Sequence, residues 1–561
     1  MFCTFERDKN KNNMLKETVT QYFEDSIQKN WNFKALSDYK GDTFTYAEVA
    51  QHISRLHNFY KLAGVKEGDK IALVGKNSAR WGIIYLSVVS YGAVIVPILP
   101  DFKPGDIHEI VNHSDSMLLF AEQQLFETME FDKMPQIIGS LKINGFTIQA
   151  QRSSILAEAV EKSGIEKPID SDGSNPDDYK LPQVSNEKLA VISYTSGTTG
   201  FAKGVMIPHN SLAANMRYAQ ENMPLNPGDR IVSFLPLAHT FGCAFEFLFP
   251  FTLGCHITIL TKTPSPQIVL QAFGEVRPSL ILSVPLVIEK IYKKQVLPIV
   301  SKPSMKILLK IPVINSIILK KIRVKLEAAF GGNFRELVLG GAAFNQETEI
   351  FFAKMKFPFT VGYGMTECGP LISYCNWRET PVGASGKVVD TLEIKIDSPN
   401  PERIAGEIMV KGANVMYGYY KNEKATKEVL DDEGWLHTGD LGLIDKKGNI
   451  FIKGRIKSML LGSSGVNIYP EEIESVLNNR FGVAETVVVQ RDDKLVALIY
   501  PDQEYVQQNK VDKETLQKLF DEYKKEANEQ LPAYMNISQV VIQTEDFIKT
   551  PKRSIKRYLY S

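Results

Sequence analysis

Net charge is missing from this chain of 561 residues, in which 65 Lys and Arg are matched by 65 Asp and Glu. That balance removes the electrostatic argument for a dedicated nucleic-acid binder, so no nucleic-acid partner is expected. Cysteine is sparse: Cys3, Cys243, Cys255, Cys368 and Cys375 are odd in number and form no C-x-x-C pair. They suggest neither a disulfide framework nor a structural zinc site, and fit free thiols in a reducing cytosol. The opening segment MFCTFERDKNKNNML lacks an apolar signal core, so export is not expected and a cytoplasmic address is. Long uncharged runs are also absent, except at 81–100, WGIIYLSVVSYGAVIVPILP, which reaches the roughly 20 residues of a membrane span. Gly92 divides it and Pro97 sits inside AVIVPIL, so a helix followed by a buried strand is the better reading.

What remains is ordinary globular material, with 44% hydrophobic and 23% charged residues, which excludes global disorder, collagen-like repeats and a polytopic membrane protein. At roughly 100 to 200 residues per domain the length implies two to four domains. Strand-like runs alternate with helical patterns over most of the first 450 residues: KIALVG, the helix at Trp81, AVIVPIL, IHEIVNHSD and MLLFAE. This reads as β-α-β units and mostly parallel, covered sheets. Residues 163–187, rich in Pro, Gly, Ser and Asp, look like an exposed connection. Near residue 380 the pattern changes to short strands, GKVVDTLEIKID, GEIMVKG and LGLIDKKGNIFIKGR, which form a small β-rich subdomain. After Arg455 it changes again: YPEEIESVLNN opens with Pro470 at a first helical position, and TVVVQ and KLVALIY follow as strands. A separate α+β domain therefore covers about the last hundred residues, with a boundary in 453–457.

Residues 293–327 carry nine positive charges and one negative, Glu327, interleaved with LL, IPVI and IIL. Two readings stand: a basic amphipathic stretch lying on an anionic membrane surface as a peripheral contact, or a surface helix pair whose apolar face covers the core.

After the strand LAVISY comes Thr195-Ser196-Gly197-Thr198-Thr199-Gly200-Phe201-Ala202-Lys203-Gly204. Its glycines allow close approach, its hydroxyls and backbone N–H groups can donate to phosphate oxygens, and Lys203 adds a cation. The spacing is not that of the Walker loop, and the segment joins two strands rather than opening a helix. Such a hairpin, taken alone, is more often a plain mobile turn.

Four further segments follow in order: LPLAHTFG at 235–242, GYGMTECGP at 362–370, GWLHTGDLG at 434–442 and KGRIKSMLLGSSGVNIYPEEIE at 453–474. Together with YTSGTTGFAKGVMIPH they resemble the adenylate-forming superfamily, and most of all its medium- and long-chain fatty acyl-CoA synthetases. The resemblance implies an α/β fold with a large N-terminal domain of stacked, mostly parallel sheets (1–454) and a small mobile α+β lid (455–561). It implies ATP, Mg²⁺, coenzyme A and a fatty acid as ligands. It places Thr195, Ser196, Gly197, Thr198, Thr199, Gly200 and Lys203 on the ATP phosphates, with Thr195 in a catalytic role. Tyr363 and Gly364 would lie against adenine; Thr366 and Glu367 would contact phosphate, with Glu367 holding Mg²⁺. Asp440 would accept the ribose hydroxyls and Arg455 would reach the ribose or phosphate edge. His239, Gly340 and Gly341 would border the acyl group, and Gly340, Gly341 and Ala342 would form a small-residue wall beside the adenine and the acyl carboxyl. Lys457 matches the hinge and Gly465 the wall of the thiol tunnel.

One position departs from the pattern. The family's closing motif carries a lysine that bridges the acyl carboxylate and α-phosphate, but TPKRSIKR, anchored on Thr550, Ile555 and Arg557, places Ser554 there. Lys552, Arg553 or Lys556 would have to replace it. Ser458 likewise stands where many relatives carry an acid. The resemblance leaves three alternatives to a fatty acid-CoA ligase: a ligase charging acyl carrier protein, an aryl or short-chain acid ligase, and a binding protein that has lost adenylation. The chain stops soon after this motif, so an assembly-line module with its own carrier domain is not expected.

Overall fold

The computed structural model describes residues 14–169, 175–195, 202–461, 467–492, 494–550 and 555–560. Its largest sheet runs, edge to edge, Ile148–Gln151, Gly139–Lys142, Ser116–Ala121, Lys70–Val74, Val94–Ile98, Leu189–Thr195 and Lys203–Pro208. The inner pairs are parallel and both edge pairs are antiparallel. A second sheet joins Arg230–Ser233, His256–Ile259, Lys34–Asp38 and Thr43–Thr45. A third, wholly parallel, joins Leu280–Ser283, Glu336–Leu339 and Phe359–Val361.

The apolar run at 81–100 divides where its glycine and proline say it should. Ser78 caps the helix Ala79–Tyr91, its hydroxyl accepting from the Trp81 N–H, and Gly92 ends it with φ 89°. Eleven of that helix's thirteen residues are buried, which explains the absence of a polar face. The strand Val94–Ile98 follows, buried throughout. Pro97 offers no N–H, and the ladder toward Leu189–Thr195 is reduced to one pair, Ile95 with Val191. Among the described residues no helix is long and apolar enough to cross a membrane.

The β-rich subdomain is an antiparallel sheet of Leu392–Asp397, Gly406–Gly412, Leu436–Ile444 and Ile450–Arg455. Beyond it, Val483–Arg491, Lys494–Pro501 and Ile537–Ile542 form a sheet packed by the helices Pro470–Asn478 and Lys513–Gln530. One buried apolar cluster extends from Val19 to Ile450, and two smaller ones occupy the chain from Ile468 onward.

Two segments differ from their sequence reading. In 163–187, Tyr179, Leu181, Val184 and Asn186 are buried, and the Asn186 amide donates to the carbonyls of Leu15 and Glu17. The connection therefore straps the N-terminal helix instead of lying free. In 293–327 a helix pair is not what forms: Pro285–Gln295, Leu297–Val300, Pro303–Leu308 and Pro312–Ala329 are four helices, each with a proline in its first turn. Proline is tolerated at that position and nowhere deeper, so Pro298, Pro303 and Pro312 set the breaks.

Candidate active site

The hydroxyl- and glycine-rich loop joins two antiparallel strands, as its sequence suggested. Thr195 pairs with Lys203 across the hairpin, and its hydroxyl donates to the Lys203 carbonyl over 3.4 Å. Ser196, Gly197, Thr198, Thr199 and Gly200 lie outside the described residues. At the hairpin's base the Lys203 ammonium stands 4.7 Å from the centre of the Tyr419 ring. The Tyr419 hydroxyl donates to Glu367 Oε1 at 2.8 Å. Tyr419 is held there because its segment runs beside Lys203–Pro208: Met206 N donates to Gly418 O, Tyr417 N to Met206 O and Tyr420 N to Gly204 O.

Glu367 belongs to a tight corner that begins at Tyr363–Gly364, antiparallel to Leu371–Tyr374. A Cβ at Gly364 would sit 2.2 Å from the Pro370 carbonyl oxygen, so only glycine closes this pair. Buried Asn215 pins the corner from behind, donating to the Cys368 carbonyl (3.2 Å) and accepting from Leu371 N (3.0 Å). Thr366, also buried, opens the short turn Thr366–Cys368. Cys368 is fully buried and burial drives its thiol well above the usual range, so it is inert as a nucleophile.

From the same corner the Tyr363 hydroxyl donates to Asp440 Oδ2 at 2.8 Å, while Arg455 Nε lies 2.9 Å from Oδ1. Strand register places Asp440 directly opposite Arg455. The Asp440 side chain is 6% exposed and that of Arg455 70%. Burial raises the aspartate's pKa, opposed by the Arg455 charge and the Tyr363 hydrogen bond. Glu407 orders the preceding turn: Oε1 accepts from Gly439 N (3.0 Å) and Oε2 meets His437 Nδ1 (2.8 Å).

The third wall forms at the carboxyl ends of the parallel strands, where open α/β sheets place ligands. Gly340 N donates to Ser283 O and Gly362 N to Leu339 O, which draws Gly340, Gly341 and Tyr363 into one neighbourhood. A Cβ on Gly340 would be 3.0 Å from the Phe241 ring; this close approach brings in the segment of His239, two residues earlier. Gly341 has φ +84° and faces solvent with Ala342. His239 is partly buried and precedes the short helix Thr240–Gly242.

Lys457 stands apart, exposed in the turn Ile456–Ser458. Gly465 and Ser554 lie outside the described residues, as do Lys552 and Arg553. Around Ser554 the neighbours are engaged. Lys549 pairs with Glu485 at 2.7 Å and bridges to Ile555. Arg557 grips Glu474 with both terminal nitrogens and donates to the Val488 carbonyl at 3.0 Å. Lys556 alone among the described cations here makes no ion pair with a described residue.

Among the described residues no three His, Cys, Asp or Glu side chains cluster to hold a metal. Glu367 is a hard oxygen donor of the type Mg²⁺ takes, and completes a shell only together with ATP phosphate oxygens. On that basis it fits. Tyr419, Asn215 and Glu407 were not foreseen from sequence. Nor was Glu246, fully buried, whose Oε2 accepts from Phe234 N (2.9 Å) and Leu235 N (2.8 Å) and so fastens the segment leading to His239.

The sequence model described as AMP-binding enzyme matches residues 23–420. The chain is 27% identical to a chloroplastic long-chain-fatty-acid–[acyl-carrier-protein] ligase of Arabidopsis thaliana, over 91% of this chain and 80% of that one. It is 29% identical to long-chain-fatty-acid–CoA ligase 5 of Rattus norvegicus, over 80% and 69%. In fold it is similar to the crystal structure of an anthranilate CoA ligase in complex with anthranoyl-AMP, with a TM-score of 0.77 at 20% identity, over 97% of this chain and 96% of that one.

Proposed function

We propose, from the premise that the chain belongs to the AMP-binding enzyme family, that it activates a medium- or long-chain fatty acid with ATP and passes the acyl group to coenzyme A. The observation that carries this is the convergence, on one corner of the chain, of two polar relays. Glu367 leads through Tyr419 to Lys203 at the base of the hydroxyl-rich loop, and Tyr363 leads through Asp440 to Arg455. The first relay suits phosphates and the second a nucleoside.

The chemistry is two displacements. A carboxylate oxygen of the acid forms a bond to the α-phosphorus of ATP as the bond to the bridging oxygen breaks, and pyrophosphate leaves. The sulfur of the thiol then bonds to the acyl carbon and AMP departs. No nucleophile of the chain is needed, so catalysis is positioning and charge neutralisation. Lys203 and Thr195 hold phosphate oxygens; Tyr363 and Gly364 flank the base; Asp440 accepts from the ribose; Arg455 steadies the ribose edge. Mg²⁺, when bound by Glu367 and the phosphates, supplies neutralising charge. His239, Gly340, Gly341 and Ala342 bound the acyl end. Residues 1–454 and 455–561 act as body and lid, with Lys457 as hinge and Gly465 on the thiol path.

The rat relative's name supports coenzyme A and a long-chain acid; the Arabidopsis relative's name supports acyl carrier protein as the alternative acceptor. Ser554 supports a binding protein without adenylation. A cytoplasmic address, and a peripheral membrane contact through 293–327, belong to the same reading. The test is pyrophosphate release with Mg·ATP across acids from acetate to oleate, with and without coenzyme A, on this chain and on Ser554→Lys. Release with long acids that rises with coenzyme A supports the reading. Silence from the native chain with release from Ser554→Lys replaces it with the binding protein.

A further inference from the structure

The helix Pro312–Ala329 is eighteen residues long and buries two of them, Leu319 and Leu326. Ile322 packs partly buried against the same core, but three other apolar residues stay in water. Val313 is 71% exposed, Ile317 52% and Val324 55%, and the preceding turn adds Ile307 at 65%. At about 100° per residue, Val313, Ile317 and Val324 fall within roughly 40° of one another and about 150° away from the Leu319 and Leu326 stripe. The helix therefore has two apolar stripes on nearly opposite sides, one against the body and one in water. Surface helices normally show polar residues on the outer side.

Charge identifies what covers the outer stripe. Lys320 lies on it, Lys321 borders it, Lys325 stands about 80° further round from Ile317, and Lys302, Lys306 and Lys310 continue along the adjoining turns. None of these six makes an ion pair with a described residue, whereas Glu327, the acid of this stretch, is already paired to Arg323 at 2.7 Å. An outward apolar stripe bordered by unpaired lysines complements a surface that offers acyl chains beneath anionic headgroups. We infer that the helices Pro303–Leu308 and Pro312–Ala329 dock the enzyme on an anionic phospholipid bilayer, inserting Ile307, Val313, Ile317 and Val324 at headgroup depth. This inference rests on the proposed peripheral contact through 293–327 and names its partner and its inserting residues; it is independent of the acid substrate, because it is tested without ATP or acid.

The experiment is co-sedimentation of the full chain with vesicles of phosphatidylcholine alone or mixed with phosphatidylglycerol, at low and high salt. Binding is expected only to the mixed vesicles, weakened by salt. Each of Lys320→Ala, Lys321→Ala and Lys325→Ala should lower partitioning about five-fold, and Val313→Asp with Ile317→Asp should abolish it. The substituted side chains are exposed, so the thermal midpoint should stay as in the parent. Equal binding to both vesicles, no binding to either, or unchanged binding by the variants overturns the inference. So does a dimer in sedimentation velocity that Val313→Asp dissolves, which would make a second copy the occupant. The lipid-charge and salt arms use the parent protein and decide the matter even if a variant misfolds.

Discussion

Removing one oxygen atom tests the relay between Glu367 and Lys203. In Tyr419→Phe the ring that faces Lys203 at 4.7 Å is kept, while the hydroxyl that donates to Glu367 Oε1 at 2.8 Å is lost. A hydrogen bond to a charged group is worth about 1.5–3 kcal/mol. Glu367 is only partly buried, so water replaces the lost donor and the fold should hardly suffer. The carboxylate becomes free to rotate away from the phosphates instead. If all of that energy is used to aim Glu367, kcat/KM for ATP falls by about 10- to 100-fold. The Mg²⁺ concentration needed for half-maximal rate rises with it, and KM for the acid stays as in the parent. Pyrophosphate release measured against ATP, Mg²⁺ and acid in turn separates these effects. The sharper form is a double-mutant cycle: in a Glu367→Gln background, Tyr419→Phe should add little, because Tyr419 acts through that carboxylate. Additive losses, or a Tyr419→Phe enzyme within two-fold of the parent in ATP and Mg²⁺ dependence, would refute the relay.

Three other outcomes are expected. Glu336 is fully buried, accepts from Tyr374 and Trp377, and has its pKa raised to about 7 by burial. The native state thus binds its proton where the unfolded state has released it, so stability falls as pH rises from about 4.5 to 7, by about 3 kcal/mol; urea midpoints for the parent and Glu336→Gln should show that slope only in the parent. Lys457→Pro should keep acyl-AMP formation and lose thioester formation, measured as pyrophosphate release against thiol consumption, and retention of both would remove Lys457 from the hinge. Arg557→Ala leaves Glu474 buried without its partner and should destabilise by about 3–5 kcal/mol. Because residues beyond Ile468 have their own cores, hydrogen exchange should speed there and stay as it was in the body.

What the sequence made legible follows the range of the physics. The division of 81–100 into helix and strand depends on Gly92 and Pro97, which act on their own dihedrals and hydrogen bonds, and the structure agrees. The breaks in 293–327 were equally local, since Pro298, Pro303 and Pro312 stand in the sequence. The charge pattern of the stretch does not report them, because lysines occupy helices and turns alike. Tyr419 and Asn215 had no local signal: a tyrosine in NVMYGYY and an asparagine in a buried helix gain their roles from contacts that close over 52 and 153 residues. Glu246 is similar, an acid in a Phe-rich run, where the conflict with its apolar neighbours was itself the available clue.

The two relays share an origin, and that couples them. Tyr363 and Glu367 are four residues apart in a corner fixed by Asn215 and by the absence of a side chain at Gly364, so neither can shift without the other. At the far end of the nucleoside relay, both oxygens of Asp440 are engaged, Oδ2 by Tyr363 and Oδ1 by Arg455. A ribose that donates to this carboxylate therefore competes with Arg455 for Oδ1 while leaving Tyr363 in place. The arginine is the partner able to yield: its side chain is 70% exposed, so its ion pair is screened and adds little to folding, whereas Tyr363 is held by the corner. Arg455 is also the last residue of its strand, two before Lys457. Displacing it on nucleotide binding would move the chain at the place where the proposed lid begins, which ties occupancy of the ribose site to the position of residues 455–561. Arg455→Ala should then weaken ATP binding only modestly while altering the balance between acyl-AMP formation and thioester formation, and a uniform loss in both steps would show that Arg455 holds the nucleotide and does nothing more.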